Sequence, residues 1–256
     1  MNEKTSTIFS RDSGFNVSSR YVAINTANVV SQFEAAGFVL HRQSVARVKD
    51  QAKQGFQKHL LVFRHPAMEL RGVTDSVPEI ILKNSYDGST SFQIFLGIYR
   101  MVCANGLMVG STYETLRVRH VGANALQSAI DGAFQVSRQV ETVAANIQLM
   151  QSVQLTQEQQ LQFAGQAGEL IRPDSAVRFD ASLLLKARRG PDTGSDLWSV
   201  YNRVQENIIR GGLQYLSTDS NGRVKRNTKR GIKAIDANVA INRELWTIAE
   251  QFAVKG

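Results

Sequence analysis

The spacing of apolar residues changes once along this chain, near Gly122, and that change limits the folds open to it. Before it, apolar residues alternate or cluster in short runs closed by turn formers. Phe92, Ile94, Leu96 and Ile98 alternate with Gln93, Gly97 and Tyr99 around Phe95, which predicts a strand with one buried face. After it, Leu126, Ile130, Phe134, Val140, Val143 and Ile147 recur at mostly helical spacing. Strands first and helices second predict an α+β fold: an N-terminal antiparallel meander sheet followed by a mainly helical C-terminal half.

Finer signals place the elements. Residues 1–18 are polar and read as a loose arm, and Ser19–Asn25 reads as a short strand. Thr26 is the expected N-cap of a short helix carrying Val29, Val30 and Phe33, with Gly37 as its stop. The sheet region runs over 19–122. In it, Pro78–Ser85 and Ser91–Cys103 flank the polar turn 86–90, and Asn105-Gly106 is a strong hairpin-turn dipeptide. Residues 123–256 form the helical region, expected to make one compact unit with the sheet. There Thr156 and Gln159 make a capping-box pattern, and Ser195 or Asp196 caps a helix through Trp198. Asp236–Phe252 is the last helix. The segment 217–234 reads as a basic loop.

That loop dominates the charge pattern. The chain carries a net charge of +8, and Arg172–Lys233 alone holds thirteen Lys or Arg against six Asp or Glu. Arg223, Lys225, Arg226, Lys229, Arg230 and Lys233 fall within eleven residues without an acidic one. A second cluster, Arg42, Arg47, Lys49, Lys53, Lys58 and Arg64, faces Asp50 alone. Two clusters with so little compensating acid predict an anionic partner, nucleic acid foremost. The single cysteine, Cys103, fits a reducing cytoplasm, and no apolar run is long enough for a membrane span. The N-terminus shows no secretory h-region.

Four ordered motifs carry a family resemblance. Met101-Val102-Cys103-Ala104-Asn105-Gly106-Leu107 resembles the Val-Cys-x-Asn-Gly-Leu signature of domain-of-unknown-function family 932, the phage- and plasmid-associated proteins. Arg119-His120 resembles the Arg-His that opens that family's long helix. Trp198, Tyr201 and Asn202 stand as in its Trp-x-x-Tyr/Phe-Asn element. Gln205–Gly212 resembles a subgroup that continues into a basic loop and ends near Asn242–Trp246. The resemblance implies a mobile-element origin in a bacterial host, and it brings no reaction.

No pattern for catalysis emerges. Cys103 sits in an apolar run where a small thiol packs well, so a Cys103–His120 nucleophile pair is disfavoured. His41, His59, His65 and His120 lack metal-ligand spacing, and nothing favours a magnesium site at Asp87, Glu114, Asp131 and Asp180. No metal and no cofactor is expected. Trp198, Tyr201 and Trp246 read as core. Asn202, Glu206 and Arg210 share one helix face, and Asn207 lies beside it. This face reads either as a buried polar network holding the basic loop, which is favoured, or as ligand contacts.

The functional expectation is a nucleic-acid-binding protein, most of all for single-stranded DNA in replication or recombination. Its element order is similar to that of single-strand annealing proteins of the Red-beta and Erf types. Arg210 and the cations from Arg223 to Lys233 would line the groove. Arg42, Arg47, Lys49 and Lys53 would make a second contact. Tyr215, and Phe56 between Lys53 and Lys58, are candidates for base stacking, although packing is the simpler role for both. A homo-oligomer would suit such a protein. Two other readings stay open: a protein-binding accessory that inhibits a host defence system, and a metal-dependent enzyme acting on nucleic acid.

Overall fold

The computed structural model describes residues 13, 17–101, 105–108, 116–120, 124–171, 177–178, 180–218 and 221–255. The expected arm at 1–18 falls almost wholly outside them, as does Cys103. The first half holds helix α1 (Thr26–Ala35) and strands β1 (Val39–Val45), β2 (His59–Arg64), β3 (Ser76–Asn84), β4 (Phe92–Arg100), β5 (Asn105–Met108) and β6 (Leu116–Val118). The second half holds α2 (Ala125–Ser137), α3 (Val140–Ser152), α4 (Gln157–Glu169), β7 (Val177–Arg178), α5 (Leu197–Arg210), β8 (Gly211–Thr218), β9 (Val224–Arg230) and α6 (Ile235–Lys255). The fold is α+β, with an antiparallel sheet first and a mostly helical half after it.

The chain forms two compact units, each assembled from separate stretches. The first takes Met1–Arg71, Ser76–Tyr99 and Tyr113–Glu141; the second takes Gly72–Asp75, Arg100–Thr112 and Thr142–Gly256.

In the first unit the strands run in the order β1-β2-β3-β4, with β6 also on β4. β1 is the exposed edge, whereas β2, β3 and β4 are buried along nearly their whole length. β4 therefore departs from the expectation of one buried face. Its polar Gln93 is buried because Ser91 and Thr90 accept its amide hydrogens. Helices α1 and α2 pack on this unit through Phe33, Phe38, Phe63 and Phe134. Gly132 of α2 lets β6 come close, since a β-carbon there would overlap the Leu116 side chain.

Two expectations fail at the start of the chain. Asn25, not Thr26, caps α1, accepting from the Asn28 N–H. Thr26 is instead buried in a polar cluster. Asn84 Nδ2 donates to Thr26 Oγ1 at 2.9 Å, and Thr26 Oγ1 lies 2.8 Å from His59 Nε2. Ser19–Asn25 is not a strand, because single contacts tie it down in place of a ladder. The Val22 N–H donates to the His120 carbonyl, and the Tyr21 ring stacks on His120 at 4.7 Å.

In the second unit α5 is the central element, with every residue from Leu197 to Ile208 buried. Asp196 caps it through the Ser199 N–H, and Thr156 with Gln159 completes the capping box of α4. Trp198 stacks on Tyr201 at 5.6 Å, and both meet Trp246 of α6 edge-on. Asn105-Gly106 opens strand β5, so the dipeptide is part of a strand where a turn was expected. The single helical pattern after Gly122 is two helices, α2 and α3. No helix among the described residues is long and apolar enough to cross a membrane.

Candidate functional site

The basic segment expected as a loop is one strand of a hairpin. β8 and β9 pair antiparallel from Gly211↔Arg230 to Thr218↔Val224, with one register shift between Gly211 and Gln214. β7 joins the other edge of β8. Helix α5 runs into this ribbon without a linker. Gly211 ends the helix at φ +70°, and a β-carbon there would lie 2.5–2.7 Å from backbone atoms of Lys229, Arg230 and Gly231. Only glycine allows that approach. Gly231 mirrors it, since its β-carbon would meet the Arg210 carbonyl at 2.6 Å. Ile232 N–H to Ile209 O, 2.9 Å, closes the root.

Pairing sorts the ribbon's side chains. Tyr215↔Asn227 and Ser217↔Lys225 share one face; Gln214↔Thr228 and Leu216↔Arg226 share the other. Arg223, Lys225, Arg226 and Arg230 are exposed, and Lys229 is half-buried. Leu216 and Val224 are also exposed, at 42% and 64%. Tyr215 is half-buried. No Asp or Glu occurs in 211–218 or 221–233. Lys233 is exposed just beyond β9.

Beneath the ribbon lies a polar network around Glu206, which is 1% exposed. Arg210 Nε lies 2.8 Å from Glu206 Oε1 and Arg189 Nη2 lies 3.1 Å from it. Asn207 anchors the neighbouring segment by donating to the carbonyls of Leu184 and Lys186, each at 2.9 Å. Arg188 donates to Asn207 Oδ1 at 2.6 Å and to the Gly211 carbonyl at 2.7 Å. Asn202, expected on the same face, turns back to the Trp198 carbonyl of its own helix. Arg188, Arg189, Glu206, Asn207 and Arg210 border a cavity of about 690 Å³ that also takes in Lys186, Gly212 and Gln214, whereas Asn202 does not line it. Lys186, Arg188 and Arg189 were not singled out by the sequence. Their signal was the cationic stretch Lys186-Ala187-Arg188-Arg189, which ends two residues ahead of the break at Pro191.

The second predicted cluster belongs to the first unit. Arg42 and Arg64 both pair with Glu79, which is fully buried, at 2.8 and 2.7 Å. Their guanidinium carbons lie 5.2 and 4.3 Å from the Tyr99 ring centre. Arg42 is thus bound to its own sheet, a role that its place in a basic run concealed. Arg47, Lys49 and Lys53 are exposed on the connection from β1 to β2, and Phe56 is half-buried there.

Of the four histidines, His59 and His120 are buried. Desolvation pushes His59 down to about 4, against the small upward pull of its hydrogen bond to the Gln57 carbonyl. Burial also lowers His120. Among the described residues no three or more His, Cys, Asp or Glu are placed to hold a metal ion.

The family model "Domain of unknown function (DUF932)" matches residues 16–246. The UPF0380 protein YafZ of Escherichia coli strain K12 is 34% identical over 243 residues, 95% of this chain and 86% of that protein. The UPF0380 protein YfjQ of the same organism is 35% identical over the same share of each chain. No solved structure matches. With nearly the whole chain matched, this protein belongs to the DUF932 family.

Proposed function

We propose that this protein binds nucleic acid, single-stranded DNA above all, through the β8-β9 ribbon, and serves replication or recombination of a phage or plasmid. The observation that carries the reading is the ribbon's composition. Four cations, Lys225, Arg226, Lys229 and Arg230, stand on β9 and Arg223 just before it, paired with a β8 that has none, and no carboxylate occurs on 211–218 or 221–233. A twisted ribbon spaces such cations along a path that a phosphate backbone can follow, and each phosphate neutralised releases counterions. Leu216, Val224 and Tyr215 offer apolar surface beside the cations for unstacked bases. The rigid root at Gly211 and Gly231 fixes the ribbon to α5, so the charges are held in place before binding.

Fluorescence anisotropy with single- and double-stranded oligonucleotides at several salt concentrations tests this. Single-strand binding should fall steeply with salt. Changing Lys225, Arg226, Lys229 and Arg230 to Ala should flatten the log–log salt slope by roughly 3, at about 0.7 per phosphate lost. An absence of binding at low salt would overturn the reading and direct attention to a host protein partner.

A further inference from the structure

We infer that the cavity at the root of the ribbon is a binding site for a phosphomonoester, supplied either by a free nucleotide or by the terminal phosphate of a strand. The inference stands apart from the ribbon's proposed role, because a free nucleotide would suffice to occupy the site.

Charge and shape carry it. Lys186, Arg188, Arg189 and Arg210 border the cavity, and Glu206 is the one carboxylate among its lining residues. Four cations against one anion leave a surplus of three positive charges. The carbonyl end of α5 also faces this region and offsets roughly half a charge. What remains matches a phosphomonoester dianion better than the single charge of a backbone diester. The volume, about 690 Å³, falls in the range of small-ligand sites.

The cations are also held in position. Two donors of Arg188 are committed to Asn207 Oδ1 and the Gly211 carbonyl, which fixes the plane of its guanidinium. Its remaining terminal nitrogen, and the Lys186 ammonium, meet no partner among the described residues. Arg189 and Arg210 are braced against each other through Glu206 Oε1. Such a brace orients guanidinium groups for bidentate contact with phosphate oxygens. Gly212, at φ +81°, adds only backbone to the wall, with its nearest neighbour an Arg188 nitrogen 3.9 Å from where a β-carbon would stand. Ligand oxygens can therefore approach the main chain there.

Isothermal titration calorimetry on the full chain tests the site with three probes: inorganic phosphate, deoxyadenosine 5′-monophosphate and deoxyadenosine. The monophosphate should bind at least about tenfold more tightly than the nucleoside, as expected of charge-assisted bonds. Lys186→Glu should weaken the monophosphate by about tenfold or more while leaving the thermal midpoint unchanged, since Lys186 is exposed and pairs with no carboxylate among the described residues. Equal binding of monophosphate and nucleoside would overturn the proposal. So would an absence of phosphate binding at millimolar concentration, or a Lys186→Glu protein that binds like the parent. The two sources separate in a second arm, with single strands ending in a 5′-phosphate or a 5′-hydroxyl. A preference for the phosphate that Lys186→Glu abolishes assigns the site to strand ends. Equal binding of both strands, with the monophosphate still bound, assigns it to free nucleotides. The ribbon variant of the preceding section should retain monophosphate binding, so loss of oligonucleotide affinity alone counts only against the ribbon.

Discussion

Glu206 and His59 show how burial decides what one side chain contributes. Glu206 is 1% exposed, but its partners Arg189 and Arg210 keep 33% and 43% of their side-chain surface. The cost of breaking the cluster is therefore unequal. Glu206→Gln leaves two guanidinium groups that water can serve, and should cost about 1 kcal/mol in urea unfolding. Arg189→Leu with Arg210→Leu strands a buried carboxylate, and should cost about 3 kcal/mol. Equal costs would mean that water reaches Glu206. His59 makes its contribution through pH. Its Nδ1 faces the Gln57 carbonyl at 3.2 Å, and Asn84 donates to the Thr26 oxygen. Thr26 therefore turns its hydroxyl hydrogen to Nε2, a pattern that suits the neutral ring. The folded value, about 4, lies below the ordinary 6.5, so between those values the unfolded chain binds more protons. Stability should be full above about pH 6.5 and fall by about 3 kcal/mol as pH drops to about 4. The buried His120 acts in the same direction. Denaturant melts across that window should show a shallower slope for His59→Gln than for the parent.

At the scale of elements, the ribbon's two faces make a sharper test of binding than its total charge. Alternation places Arg226 with Leu216, and beyond them Val224 and Arg230, on a face where all four are exposed. The opposite face carries Lys225 and Lys229, but Tyr215, Asn227 and Lys229 are half-buried there. Arg226→Glu with Arg230→Glu should therefore weaken oligonucleotide binding by at least about tenfold more than Lys225→Glu with Lys229→Glu, at the same change in charge. Anisotropy titrations of the two variants at one salt concentration would check it. Why this strand escaped the sequence is plain. Val224-Lys225-Arg226-Asn227-Thr228-Lys229-Arg230 has no apolar alternation, and its extended form comes from pairing with β8. Elements with strong local signals were readable: Thr156 with Gln159, Asp196, Gly37, and the apolar strands β2 to β4. The break between α2 and α3 was not, because Arg138-Gln139 contains neither Gly nor Pro. At the root, helical spacing paired Glu206 with Arg210 correctly as neighbours in space. It could not supply Arg188 and Arg189, which lie on a different segment, nor show that the Asn202 amide donates back to its own helix.

For the whole molecule, the decisive fact is that neither compact unit is a continuous piece of chain. The second unit needs Gly72–Asp75 and Arg100–Thr112 as well as everything after Glu141. Those short stretches bring buried charge with them. Arg100, 3% exposed, donates to Asp75 Oδ2 at 2.6 Å and pairs with Asp192, itself 1% exposed. Asp192 sits in the short turn Gly190–Thr193 just before α5, so this ion pair supports the segment that leads to Trp198 and the ribbon beyond. A fragment of residues 142–256 keeps α4, α5, α6 and the ribbon but leaves Asp192 buried without Arg100. A buried carboxylate that has lost its direct partner, with only the field of Arg203 left to act on it, costs about 3 kcal/mol, a large share of the stability of a fragment that size. The fragment should therefore show helical circular dichroism without the cooperative melt of the full chain. Arg100→Met in the full chain should lower stability by a comparable amount while preserving the transition, because the rest of the second unit is intact. A sharp melt of the fragment near the full-length midpoint would instead make the ribbon and its root an autonomous module, with Arg100 serving only to join stretches of chain that the second unit could do without.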